Sequence, residues 1–244
     1  MHNSNLPLAL TMGDPAGIGP EIIVKSINKL KMINCVVFGD AMVFENIIKL
    51  LGIPLRLNCI NSLSEAKFDK DVLNLLVTSE LKSKPNFGET SKESGRASYD
   101  AILETIKLAK QKKLLGVVTA PINKKALNLA NISFPGHTEI FSEHSKSNNA
   151  SMMLCNDSIK TVLVTLHCSM AEALKKINVE HEFKAIKNAY IGAKMFGIKD
   201  PIIAVAALNP HAGEMGLFGN EEEVFIEPAI ELAKGKGIDA RGPF

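Results

Sequence analysis

The chain has 244 residues, 46% of them hydrophobic and 22% charged, a composition ordinary for a globular protein and able to bury a sizeable core. Its 28 basic and 26 acidic residues leave a net charge of +2 with no clustering, and it has no Trp and only two Tyr; neither nucleic acid nor a membrane surface is indicated as a partner. Cys35, Cys59, Cys155 and Cys168 form no Cys-x-x-Cys pair, the N-terminal residues show no signal-peptide pattern, and no run of about 18 apolar residues occurs, so a reduced, cytoplasmic protein is expected.

Short apolar runs alternate with longer amphipathic ones, the pattern of an α/β protein with a largely parallel sheet. The first strand candidate is Leu8–Thr11. It leads into Thr11-Met12-Gly13-Asp14-Pro15-Ala16-Gly17-Ile18-Gly19-Pro20-Glu21, a loop that opens a helix at Pro20. Gly17-x-Gly19 is followed by Pro20, Glu21 and Ile22, so the third glycine of a dinucleotide fingerprint is missing, and no Walker sequence occurs. Two readings stand: a tight strand-to-helix turn that needs flexible backbone, or a loop whose backbone and Asp14 approach a ligand. Cys35–Phe38 and Leu73–Val77 are the next strand candidates, with Gly52-Ile53-Pro54 ending a helix between them. Thr90-Ser91-Lys92-Glu93 has capping-box spacing, and Tyr99, Ile102, Ile106 and Ala109 recur on one helical face, which predicts a helix covering the sheet. After the strand candidate Leu115–Thr119 come Lys124 and Lys125, which read either as solvated lysines at a helix start or as point charges for a phosphate.

Three histidines sit where apolar runs break. In Pro135-Gly136-His137-Thr138-Glu139, an imidazole, a hydroxyl and a carboxylate follow a Pro-Gly turn and could hold an anionic, hydroxylated substrate. The competing reading is a helix start with Thr138 as N-cap and Glu139 in the first turn. His167 follows the strand candidate Thr161–Thr165 and precedes a second capping box, Ser169-Met170-Ala171-Glu172; His211 follows Ile202–Leu208, in Leu208-Asn209-Pro210-His211-Ala212-Gly213. Gly197-Ile198-Lys199-Asp200-Pro201 marks a helix end before that strand. Strand ends are where open α/β sheets collect ligands, and two histidines there make a partial metal site, since a catalytic zinc takes three protein ligands. Asp14, Glu139, Glu214 and Cys168 are nominal third ligands, Cys168 reading better as a buried structural thiol. His2, His144 and His181 carry no supporting pattern, and the last two are expected on solvated helix faces. No Gly-x-Ser-x-Gly elbow supports a serine hydrolase.

Taken in order, the Thr11–Glu21 loop, Pro135-Gly136-His137-Thr138-Glu139, Thr165-Leu166-His167 and Leu208-Asn209-Pro210-His211-Ala212-Gly213-Glu214 resemble the 4-hydroxythreonine-4-phosphate dehydrogenase family of vitamin B6 biosynthesis, over nearly the whole chain. The resemblance implies a two-lobed α/β/α fold like that of the isocitrate and isopropylmalate dehydrogenases, with residues 1–134 as the first lobe and 135–244 as a second, incomplete one. It implies NAD-dependent oxidation of 4-phosphooxy-L-threonine, a small phosphorylated amino acid, and decarboxylation to 3-amino-2-oxopropyl phosphate. By the same resemblance His137 and Thr138 contact substrate, and His167 and His211 bind a divalent metal such as zinc, magnesium or cobalt. Members of the family are homodimers with active sites built from both subunits. They continue past Arg241-Gly242-Pro243-Phe244 into a segment with a third metal histidine, further substrate-binding residues and much of the NAD site; weak cofactor binding and poor turnover are therefore expected of the 244 residues alone. The competing readings are a phosphate acyltransferase of similar fold and a non-catalytic fragment that binds a metal or a phosphorylated ligand.

Overall fold

The computed structural model describes residues 6–30 and 34–244, which leaves His2 outside the described residues, and the chain divides into two compact units, the first ending at Asn148 and the second running Asn149–Phe244. In the first unit, β1 (Leu8–Thr11), β2 (Cys35–Asp40), β3 (Arg56–Ile60), β4 (Val72–Ser79) and β5 (Gly116–Thr119) form one sheet in the order β3-β4-β2-β1-β5, every neighbouring pair parallel. Because successive side chains of a strand point to opposite faces, the apolar runs of β1, β2 and β4 feed two cores at once. Leu10, Val37, Leu73 and Leu75 pack with Ile23, Val24 and Ile27 of α1 (Gly19–Leu30) and Val43, Phe44 and Ile47 of α2 (Ala41–Leu51). Ala9, Val36, Phe38 and Leu76 pack with Ala101 and Leu108 of α3 (Lys92–Lys110).

The helix boundaries follow from local chemistry. Asp40 caps α2, and the helix ends at Gly52 in the left-handed region, as the Gly-Ile-Pro punctuation requires. The cap of α3 is Ser91 rather than Thr90: its Oγ accepts from the Ser94 N–H at 3.0 Å. Tyr99, Ile102 and Ile106 are buried as their spacing demands, while Ala109 is exposed and Leu108 takes the inward place. From β1 the chain moves to one side of the sheet, and α3 then carries it back across to set β5 on the other side of β1. The carboxyl ends of β1 and β5 thus form a topological switch point, the usual ligand position in an open α/β sheet. Two further helices, α4 (Lys124–Leu129) and α5 (His137–Ser145), pack on α3 through Leu127 and Ile140. That packing keeps α5 with the first compact unit, which ends at Asn148.

In the second unit, β6 (Met153–Cys155) and β7 (Lys160–Val162) form an antiparallel hairpin, closed by Asn156, whose Oδ1 accepts from the Ser158 and Ile159 N–H groups at 2.8 and 2.7 Å. The first helix of this unit, α6 (Met170–Lys176), opens with the full capping box of Ser169 and Glu172. Next come α7 (Val179–Met195), β8 (Ile202–Ala204), α8 (Glu227–Lys234) and β9 (Asp239–Arg241), with β8 and β9 paired in parallel. Ile186, Val205, Ile226, Ile230 and Ile238 are at the centre of the core between these elements. Two strands are shorter than their apolar runs: β7 ends at Val162 rather than Thr165, and β8 at Ala204 rather than Leu208. Each has one partner strand among the described residues, and beyond the regular ladder only scattered bonds continue, Leu163 N–H to the Met152 carbonyl at 3.2 Å and Ala207 N–H to the Phe244 carbonyl at 2.8 Å. The antiparallel hairpin departs from the expected parallel pattern, which the first unit obeys. No helix among the described residues is long and apolar enough to cross a membrane.

Candidate functional site

The loop after β1 lies at the switch point of the first unit. Its Asp14 N–H donates to the Pro121 carbonyl at 2.9 Å, joining it to the segment after β5. Gly13 has φ +71°, and a Cβ there would run into the Pro121 carbonyl, so this glycine is required by both backbone angle and close approach. Asp14 is buried and turns inward on its own loop, accepting from the Ala16 N–H at 2.9 Å. From α3, the Ser98 hydroxyl donates to the Gly13 carbonyl at 2.8 Å. These bonds give the loop the tight-turn role that its glycines suggest. Lys124 and Lys125 are exposed at the start of α4, whose cap is Asn123, and match the solvated reading.

His137, Thr138 and Glu139 are the first three residues of α5. The N-cap is Gly136, which offers no side-chain hydrogen bond, so the expected capping role of Thr138 is not realised: Thr138 is already inside the helix. His137 is half-buried, and its Nε2 is enclosed without a hydrogen-bond partner; Glu139 Oε2 is likewise enclosed and unpartnered. Burial lowers the His137 imidazole below its ordinary value of 6.5, favouring the neutral ring. His144, expected on a solvated face, is instead half-buried in the last turn of α5, with Nε2 2.5 Å from the Tyr99 hydroxyl. Its ring also packs against Phe134.

In the second unit His167 and His211 are both exposed, with φ of 48° and 52°. Neither directly follows its strand: residues 163–169 separate β7 from α6, and His211 sits in a single helical turn, Pro210–Gly213, beyond the irregular residues 205–209. His211, Ala212, Glu214 and Met215 all have positive φ, a run of left-handed backbone that non-glycine residues rarely adopt. The turn is held from behind by Glu222. Its Oε1 accepts from the Leu208 and Asn209 N–H groups at 2.9 and 2.6 Å, and its Oε2 from the Asn209 amide at 2.9 Å. Burial opposes its charge, yet these hydrogen bonds outweigh burial and hold the carboxyl below the usual glutamate range. Residues 158–164 and 200–208, which lead toward the two histidines, line one groove together with Glu182, Ala185 and Ile186 of α7. Burial raises the Glu182 carboxyl above the ordinary range.

Among the described residues no group of three or more His, Cys, Asp or Glu side chains could hold a metal ion, and within the second unit neither Glu214 nor Cys168 completes a site with His167 and His211. The donor set is short of the three protein ligands of a catalytic zinc. Cys168 is half-buried, whereas Cys35 is the buried thiol, pushed up to about 11 by burial. Glu222, Glu182, Ser98 and the Tyr99–His144 pair were not singled out in the sequence; only the acidic run Glu221-Glu222-Glu223, close behind the His211 turn, offered a signal.

A parallel α/β unit with a switch point at the carboxyl ends of β1 and β5, joined to a second α/β unit carrying two histidines on turns, is the architecture of an α/β protein that takes small molecules at its strand ends. The family model described as "Pyridoxal phosphate biosynthetic protein PdxA" matches residues 31–244, and the chain belongs to this family. The 4-hydroxythreonine-4-phosphate dehydrogenase of Beijerinckia indica is 50% identical over 239 residues, covering 98% of this chain and 71% of that protein. The D-threonate 4-phosphate dehydrogenase of Pectobacterium atrosepticum is 37% identical over 242 residues, covering 97% of this chain and 74% of that protein. A crystal structure of 4-hydroxythreonine-4-phosphate dehydrogenase from Klebsiella pneumoniae superposes with a TM-score of 0.88 at 35% identity, covering 98% of this chain and 73% of that one. The chain is shorter than these relatives and is, by family, a dehydrogenase of pyridoxal phosphate biosynthesis.

Proposed function

We propose that the protein oxidises 4-phosphooxy-L-threonine with NAD as hydride acceptor, and that the oxidised compound loses carbon dioxide to give 3-amino-2-oxopropyl phosphate. Beyond the 50% identity to the Beijerinckia enzyme, the observation that carries this reading is the N-terminus of α5. There an enclosed imidazole nitrogen lacks a partner at the start of a helix with no side-chain cap. A phosphorylated hydroxy amino acid brings an anion for the open first-turn amides and polar groups for the imidazole. His137, kept neutral by burial, binds without adding charge, and the Thr138 hydroxyl beside it donates or accepts as the substrate requires.

His167 and His211 are this chain's contribution to a divalent-metal site for zinc, magnesium or cobalt. A cytoplasmic homodimer and kinship with the two-lobed isocitrate and isopropylmalate dehydrogenases belong to the same proposal. The test is NADH formation by the purified protein, supplied with NAD and each metal in turn, from 4-phosphooxy-L-threonine and from D-threonate 4-phosphate. Faster turnover of the first substrate is expected, with His137→Asn lowering kcat/KM by about a hundredfold. A higher kcat/KM for D-threonate 4-phosphate than for 4-phosphooxy-L-threonine overturns the reading.

A further inference from the structure

We propose that Tyr99, Phe134 and His144 form a clamp that positions His137 and Thr138, an inference resting on the reading of those two residues as substrate contacts. The clamp brackets the segment it controls. Phe134 lies just before the Pro135-Gly136 turn, and His144 lies in the last turn of α5. Both pack on Tyr99 of α3: ring centroids are 6.2 Å apart for Tyr99 and Phe134, 5.6 Å for Tyr99 and His144, and 5.8 Å for Phe134 and His144. Tyr99 adds a hydrogen bond to this cluster, its hydroxyl lying 2.5 Å from His144 Nε2.

The helix needs such a clamp. At nine residues α5 is too short to be stable by itself, and Ile140 is its one buried residue among those described. Ile140 and the partly buried Phe141 beside it anchor only the middle of the helix, and apolar packing has no directional preference, so these contacts leave its ends free to pivot. The hydroxyl–imidazole bond supplies direction. His137 and His144 are seven residues apart, two helical turns or roughly 10 Å, so fixing the C-terminal end fixes where the N-terminal imidazole is presented. The neighbour of Tyr99 extends the brace: Ser98 donates to the Gly13 carbonyl, so adjacent residues of α3 hold the switch-point loop and α5. Tyr99 and His144 are thus positioning residues, acting through the helix.

The test compares Tyr99→Phe, which removes only the hydroxyl, with His144→Phe, which keeps a ring in the cluster, and with the double variant. Hydrogen exchange of the Ile140 amide, bonded to the Gly136 carbonyl at 3.3 Å, reads the closure of the first turn of α5. Calorimetric titration with 4-phosphooxy-L-threonine reads Kd. The expected result is unchanged circular dichroism, exchange at Ile140 faster by about tenfold, Kd raised by about tenfold, and a double variant no worse than either single one. Exchange at the wild-type rate in both single variants overturns the clamp, whatever happens to Kd. Failure of the wild-type protein to bind this ligand sinks the substrate reading instead, and the exchange measurement still decides the clamp.

Discussion

The two units solve the same packing problem to different extents. In the first, five parallel strands form a continuous sheet, and β1, β2 and β4 bury both faces under α1, α2 and α3. In the second, strands are split between two separate two-stranded ladders, and Ile159, Ile202, Met195 and Phe196 remain exposed around the groove and the end of α7. The difference shows where stability and where adaptability reside. A doubly covered parallel sheet holds a switch-point loop rigidly, whereas short ladders leave turns such as Pro210–Gly213 dependent on a few polar braces, here Glu221 and Glu222 on Leu208 and Asn209.

The largest effect expected from this contrast is in the first core. Phe38→Ala, at a fully buried position of β2, should cost about 3–5 kcal/mol in urea unfolding, whereas Ile202→Ala, half-exposed on β8, should cost less than about 1 kcal/mol. Equal losses at the two positions would break the comparison. Next comes Glu222→Gln, which replaces an accepting oxygen with an NH2 donor that faces donors already pointing at it. A loss of about 1–3 kcal/mol is expected, with faster hydrogen exchange at Leu208 and Asn209 and none at β1 or β2. Ser169→Ala removes a capping box and should cost about 1 kcal/mol, read as fraying of α6 in exchange or chemical shifts.

The smallest expected effects are the pH slopes, and they have opposite signs. Burial lowers His137, so below 6.5 the unfolded chain binds the extra proton and stability falls as pH drops through that value. Burial raises Glu182, so the folded chain keeps its proton longer, and stability falls as pH rises above the ordinary glutamate value of 4.5. Unfolding midpoints measured across this range should lose the first slope in His137→Asn and the second in Glu182→Gln.

What the sequence made legible tracks how local the physics is. The Ser169–Glu172 box, the Gly52 helix end and the bounds of β1 depend on neighbours in the chain, and all appear as the residues predict. The strands β3, β6 and β9 were missed because Arg56–Ile60, Met153–Cys155 and Asp239–Arg241 are short or polar and are strands only by virtue of a partner. His144 was misjudged for a related reason. Its partner Tyr99 is 45 positions away, and no helical periodicity within α5 reveals a ring on α3. Glu222 was missed because a buried carboxylate needs donors from a turn thirteen residues earlier, a pairing invisible until the chain folds. The positions of His137, His167 and His211 at breaks in apolar runs were readable; that β7 and β8 stop well short of the latter two was not.

The most direct measurement follows the His137 imidazole by NMR while 4-phosphooxy-L-threonine is added. The account predicts that its ring signals shift and saturate with the binding isotherm, and that L-threonine without the phosphate leaves them in place. Saturable binding of the phosphorylated compound with the His137 signals unmoved would contradict it.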